Sequence, residues 1–141
     1  MKTTKNSPLV SMLIRHEGWI EKPYQDSLGI WTIGVGRNLS RGLAEHEIMY
    51  LLKSDIATCE DELSRNLPWF DDLDPVRRDC MIDLCFNMGY PRLSKFTKAL
   101  AAMSEGNWDR AAYEFMDSRW SKQVKTRAVD ICNMIKTGTY S

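Results

Sequence analysis

Residues 17–36 read EGWIEKPYQDSLGIWTIGVG, and this stretch decides the fold. Just before it, Ser7-Pro8 is a helix cap followed by proline at the first helical position. Leu9, Leu13 and Ile14 then make one apolar stripe, which predicts a helix from about Pro8 to Glu17, ended by Gly18. Inside the stretch, Lys22-Pro23 disfavours helix continuation. Tyr24 to Ser27 and Ile30 to Ile33 are short extended runs on either side of Leu28-Gly29, a tight turn. Gly34 and Gly36 flank Val35 and suggest close backbone approach. The prediction is a small hairpin within 22–39, with a third strand near Asn38-Leu39.

Beyond it the pattern turns helical. Ile48, Leu51, Leu52, Ile56, Cys59, Leu63 and Leu67 recur at spacings of three and four, which predicts a helix from Ala44 to about Leu67, stopped by Pro68. Asp74-Pro75 opens another helix, with Val76, Cys80, Leu84 and Met88 as its core residues. Gly89-Tyr90-Pro91 breaks the chain, Ser94 caps a helix ending near Gly106, and Asn107 caps one beginning at Trp108. A last helix covers Val124 to Lys136, with Gly138 as its C-terminal glycine. The fold class is therefore α+β: one small hairpin near the N-terminus and a mainly α-helical remainder.

A chain of 141 residues fits one domain with a core large enough to need no disulfide or metal staple. Nineteen basic residues balance nineteen acidic ones, which argues against a general nucleic-acid or membrane binder. The balance is uneven: six basic and three acidic residues fall in 1–44, four and eleven in 45–90, nine and five in 91–141. Cys59, Cys80, Cys85 and Cys132 show no C-x-x-C spacing and lie far from His16 and His46, so no zinc site is expected. Their apolar neighbours point to buried free thiols and a reducing site of synthesis. The N-terminus carries Lys2 and Lys5 but no uninterrupted apolar run, so no signal peptide and no membrane span are expected.

Glycosidic hydrolysis needs two carboxyl groups with different tasks: one holds a proton for the leaving oxygen, the other stays ionised. Their surroundings must push their pKa values apart. Glu17, at the end of an apolar helix and beside Gly18-Trp19, suits a partly desolvated acid. Asp26, in a polar hairpin beside Gln25 and Ser27, suits a charged carboxylate, and the Thr32 hydroxyl on the next strand suits a water-holding group. Taken singly, each has a plain structural reading as helix-end or turn chemistry.

Glu17-Gly18, Tyr24-Gln25-Asp26, Gly29 and Trp31-Thr32-Ile33-Gly34-Val35-Gly36 together resemble, without a gap, the active-site segment of T-even phage lysozymes, glycoside hydrolase family 24. Further matches follow in order: Leu73-Asp74 with Val76-Arg77-Arg78, Phe86-Asn87-Met88-Gly89, Phe96-Thr97, Trp108-Asp109-Arg110-Ala111-Ala112, Ser118-Arg119-Trp120 with Gln123, Arg127 and Ala128, and Thr137-Gly138-Thr139. The resemblance implies a lysozyme-like fold in one domain, residues 1–141. Its N-terminal lobe would span about 18–43 and its long connecting helix about 44–67, and its helical lobe about 68–141 would pack with helix 8–17. It implies a muramidase that cuts the β-1,4 bond between N-acetylmuramic acid and N-acetylglucosamine in peptidoglycan. Glu17 would be the general acid, and Asp26 the carboxylate that orients or activates water with help from Thr32. Arg127 matches an arginine that pairs with the catalytic glutamate. Phe86, Asn87, Arg119 and Gln123 match the wall of the glycan cleft, although Phe86 at that helical spacing also reads as core. No cofactor or metal is implied. The resemblance further implies a monomeric phage endolysin, made in the host cytoplasm, released through a holin-type pore and active on the wall at lysis.

Three departures stand out. The family has a histidine after T-I-G-x-G, paired with an aspartate on the long helix; this chain has Arg37, and Asp55 matches the aspartate, so an Arg37–Asp55 ion pair is expected. The loop ahead of the long helix is shortened to roughly Asn38–Leu43. The chain is neutral where the T-even enzyme is basic, which weakens attraction to anionic wall polymers. Two other functions share the scaffold. A lytic transglycosylase (or a chitosanase) commonly manages with one glutamate, and Asp26 with Thr32 speaks against it. A non-catalytic wall-binding or toxin module should have lost Glu17 or Asp26.

Overall fold

The computed structural model describes residues 7–141; Lys2 and Lys5, part of the N-terminus read as leaderless, lie outside the described residues. The chain divides into two compact units, residues 1–48 and 49–141.

The first unit begins with helix α1, Pro8–Glu17. The Ser7 hydroxyl accepts from the Val10 N–H at 3.1 Å, and Pro8 takes the first turn where its missing N–H costs nothing. Gly18 ends the helix at φ +89°, donating its N–H to the Ile14 carbonyl at 2.8 Å. A three-stranded antiparallel sheet follows in the order β1 (Ile20–Gln25), β2 (Trp31–Gly34), β3 (Arg37–Asn38). Strand β1 starts earlier than Tyr24 because Ile20 already pairs with Gly34, across a register shift between Ile20 and Tyr24. Pro23, which cannot donate to a ladder, sits in that irregular stretch. The turn between β1 and β2 closes through Asp26 N–H to the Ile30 carbonyl and Gly29 N–H to the Asp26 carbonyl, both at 2.9 Å. A 3-10 turn at Leu39–Arg41 leads to helix α2, Glu45–Asn66.

In the second unit α2 continues, and a 3-10 turn at Phe70–Asp72 links it to α3, Pro75–Met88. Five helices complete it: α4 (Tyr90–Leu93), α5 (Thr97–Glu105), α6 (Trp108–Met116), α7 (Arg119–Val124) and α8 (Thr126–Thr137). The caps predicted at Asp74 and Asn107 form, accepting from the Arg77 and Arg110 N–H groups at 3.1 and 3.2 Å. Leu63, Phe70, Met81, Leu84, Phe115 and Trp120 are at the centre of the core. Arg77 ties α3 to the C-terminal end of α8. Its Nε donates to the Ile135 carbonyl at 2.6 Å and its Nη2 to the Lys136 carbonyl at 3.1 Å, which satisfies two helix-end acceptors of α8. Its guanidinium also lies 4.1 Å from the Trp108 ring centre.

Several expectations need correction. Ser94 does not cap α5; it ends α4, and its hydroxyl donates to the Pro91 carbonyl at 2.7 Å. Gly89-Tyr90-Pro91 is not a plain break, because Pro91 fits the first turn of a short helix. The last helix begins at Thr126, since Lys125 at φ +43° separates it from α7. Of the long helix's apolar positions, Cys59, Leu63 and Leu67 are buried and Ile56 half-buried, whereas Ile48, Leu51 and Leu52 are exposed. All five residues of the run Ile48–Leu52 are exposed, so this turn of the helix contributes nothing to the core. Val76 and Met88 are half-buried while Cys80 and Leu84 are core. All four cysteines are free and buried. Burial pushes the thiols of Cys80 and Cys85 up to about 12 and that of Cys132 up to about 11.

Candidate active site

Glu17 is the last residue of α1, and Asp26 follows β1 directly. The intervening strand fixes both in the first unit together with Thr32 on β2. The Asp26 carboxylate is built into the hairpin: Oδ1 accepts the N–H of Leu28 at 2.8 Å and of Ile30 at 2.9 Å. These bonds are local turn chemistry, and they also hold the carboxylate in one orientation. Thr32 is buried, 5% exposed, and its hydroxyl donates to the Ile30 carbonyl at 2.9 Å. Asp26 and Thr32 are thus anchored on the two backbone groups of one residue, Ile30. With its proton committed, the Thr32 hydroxyl presents only acceptor lone pairs to anything else.

Glu17 is exposed, and so are Leu9 and Leu13 on its own helix. The apolar helix end does not supply the desolvation expected of it, because that stripe is not itself buried. What shapes the surroundings of Glu17 is Gly36, in the turn between β2 and β3. A Cβ added to Gly36 would overlap the carboxylate Oε2 and lie 2.8 Å from Glu17 Cδ.

Arg37 takes a different partner from the one predicted. Its Nη2 donates to Glu47 Oε1 at 2.6 Å and to the Gly42 carbonyl at 3.4 Å, so the carboxylate that holds it is Glu47 in the first turn of α2, not Asp55. The reason is local. Glu47 Oε1 also accepts the Ala44 N–H at 2.8 Å, which closes the start of the helix and fixes this carboxylate ten residues from Arg37. The bond from Arg37, with help from the Ala44 N–H, holds the Glu47 carboxyl at about 2. Asp55 is exposed on α2. The signal for Glu47 was present as a glutamate three residues into a helix.

In the second unit, Phe86 is 44% exposed rather than core. It lines a surface hollow with Ile56, Ile82, Asp83 and Arg127. Arg127 donates through Nε to Asp83 Oδ1 at 2.8 Å, a partner the sequence reading missed. Asn87 Oδ1 accepts from the indole N–H of the buried Trp120 at 2.7 Å. Arg119, at the first position of α7, is exposed, and Gln123 Oε1 accepts from Arg92 Nη2 at 2.8 Å. Phe86 and Arg127 therefore share a hollow, while Gln123 is tied to Arg92. Among the described residues no group of three or more His, Cys, Asp or Glu could hold a metal ion, and no helix is long and apolar enough to cross a membrane.

Residues 14–131 match the family model described as phage lysozyme. Among curated proteins, the chain is 25% identical to "Probable T4-type lysozyme 2" of Dictyostelium discoideum, over 94% of this chain and 96% of that one. It is 29% identical to "Endolysin" of Acyrthosiphon pisum secondary endosymbiont phage 1, over 89% of this chain and 86% of the relative. It is also 26% identical to "Pre-baseplate central spike protein Gp5" of Enterobacteria phage T4, over 94% of this chain but 28% of the spike protein.

Proposed function

Because this chain belongs to the phage lysozyme family and is a glycoside hydrolase of lysozyme type, we propose that it cuts the β-1,4 bond between N-acetylmuramic acid and N-acetylglucosamine in peptidoglycan with Glu17 and Asp26. Glu17 donates its proton to the leaving glycosidic oxygen. Asp26 orients a water molecule, takes one of its protons, and directs its oxygen at the anomeric carbon, with inversion of configuration. The observation that carries this division of labour is the shared anchoring of Asp26 and Thr32 on Ile30. A carboxylate and a hydroxyl with only lone pairs to offer can each accept one proton of the same water. That leaves the water's own lone pair for the sugar. Inversion requires a carboxyl separation of ~6.5–9.5 Å, wide enough for that water.

Phe86, Asn87, Arg119 and Gln123 are the glycan-contacting residues of this reading. Arg127 is a supporting charge, held by Asp83. Arg37 supports the sheet through Glu47 in place of Asp55. The protein acts as one monomeric domain on the cell wall of a phage's host, made in the cytoplasm and released through a holin-type pore. A second context has its own support: the likeness to a 28% portion of a phage spike protein fits a lysozyme carried within a longer virion protein. Turbidity of permeabilised Gram-negative cells tests the catalytic reading. The wild type should clear the suspension and Glu17→Gln should not; equal clearing by both, or by neither, removes it.

A further inference from the structure

We propose that Gly36 is a positioning residue for Glu17, and that its missing side chain sets where the acid's carboxyl group stands. The inference rests on the reading of Glu17 as the general acid. An ideal Cβ at position 36 would overlap Glu17 Oε2, lie 2.8 Å from Cδ and 3.1 Å from Cβ, where ordinary contact begins at 3.4 Å. The acid therefore rests directly on backbone. Oε2 and Cδ are the free end of a flexible side chain and yield before the turn does, while Glu17 Cβ, fixed to α1 at 3.1 Å, has to give by only a few tenths of an ångström. A methyl group at 36 leaves the fold in place and expels the carboxyl from its position.

Gly34 supplies an internal control. It has φ +68° against +63° for Gly36, so a side chain at either position meets a left-handed φ that costs it conformational energy. Around an added Cβ at Gly34 there is nothing within 4 Å. Two glycines two residues apart thus share a conformational demand, and Gly36 alone of the two touches the acid. The glycine that repeats in the G-x-G run has two separable causes: turn geometry at both positions, and room for the carboxyl at the second.

The test compares wild type, Gly34→Ala, Gly36→Ala and Glu17→Gln by thermal melting and by kcat and KM on soluble glycan strands. Both alanine variants should melt at similarly lowered temperatures. Gly34→Ala should keep kcat within about threefold, while Gly36→Ala should lose about a hundredfold in kcat with KM little changed, the scale expected of a misplacement near 1 Å. The alkaline limb of its kcat profile, set by the acid, should also move, which a merely structural role would not cause. If Gly36→Ala matches Gly34→Ala in kcat while Glu17→Gln is inactive, the positioning role is overturned. If Gly36→Ala melts far below Gly34→Ala, the backbone has yielded instead of the carboxyl, and the inference falls as well. If Glu17→Gln is as active as wild type, the failure belongs to the assignment of the acid.

Discussion

Arg37, on β3, donates through Nη2 to Glu47 Oε1 in the first turn of α2 at 2.6 Å. The same oxygen accepts the Ala44 N–H, so one carboxylate closes the helix start and ties the sheet to it. The Glu47 carboxyl stands at about 2, below its ordinary 4.5, first because of the bond from Arg37. A carboxyl whose pKa falls on folding stabilises the native state above its unfolded value and loses that effect as pH drops through the folded one. Wild type should therefore exceed Glu47→Gln in urea midpoint at pH 7. The gap should shrink from about pH 4.5 downward and vanish near pH 2. A gap that is unchanged between pH 7 and pH 2 would contradict this account.

Arg77 is a second tie, mostly buried at 13% side-chain exposure, and it caps α8 from α3. Arg77→Met keeps an aliphatic stem but removes the guanidinium, and with it both donors to the Ile135 and Lys136 carbonyls, the Asp74 ion pair and the Trp108 contact. Two charged hydrogen bonds of this kind point to a loss of about 3 kcal/mol in chemical denaturation. A loss below about 0.5 kcal/mol would mean that solvent replaces them.

Asn87 has both a glycan-facing and a structural assignment, and they can be separated. Trp120 is 1% exposed and its indole N–H has Asn87 Oδ1 at 2.7 Å. Asn87→Ala should destabilise the fold by ~1–3 kcal/mol by orphaning that donor. Asn87→Asp, which keeps an acceptor, should recover most of it. Activity measured well below the melting temperature then reports what the amide does for the glycan.

The four buried thiols should be slow towards a thiol reagent such as an aromatic disulfide in the native protein, since the thiolate is the reactive form and burial suppresses it. All four should react promptly in denaturant. Rapid native labelling of Cys80 or Cys85, whose thiols burial raises to about 12, would show that α3 opens readily.

Much of this was legible in the chain because it is local. Ser7-Pro8, Asp74-Pro75 and Asn107 cap helices through bonds spanning three residues. Asp26 and Leu28-Gly29 build a turn from their own backbone. The family segment from Glu17 to Gly36 sits on one helix end and one hairpin, which is why its spacing reads without a gap. What was misread depended on competition or on distance. Ser94 had a carbonyl of its own short helix within reach. Arg37 bonds Glu47 in place of Asp55. What was missed spans distance: Arg127 bonds Asp83, 44 positions away in sequence. Periodicity counted Ile48, Leu51 and Leu52 as core candidates, but a repeat does not say which turns of a helix meet other elements.

The most direct test of the central claim is the chemistry of the cut ends. Purified peptidoglycan digested by the wild type and separated by mass should yield muropeptides ending in a reducing N-acetylmuramic acid, with water incorporated at the anomeric carbon. Both Glu17→Gln and Asp26→Asn should release at least about a hundredfold less. Products ending in the 1,6-anhydro sugar, or full release by either variant, would contradict hydrolysis by this pair of carboxylates.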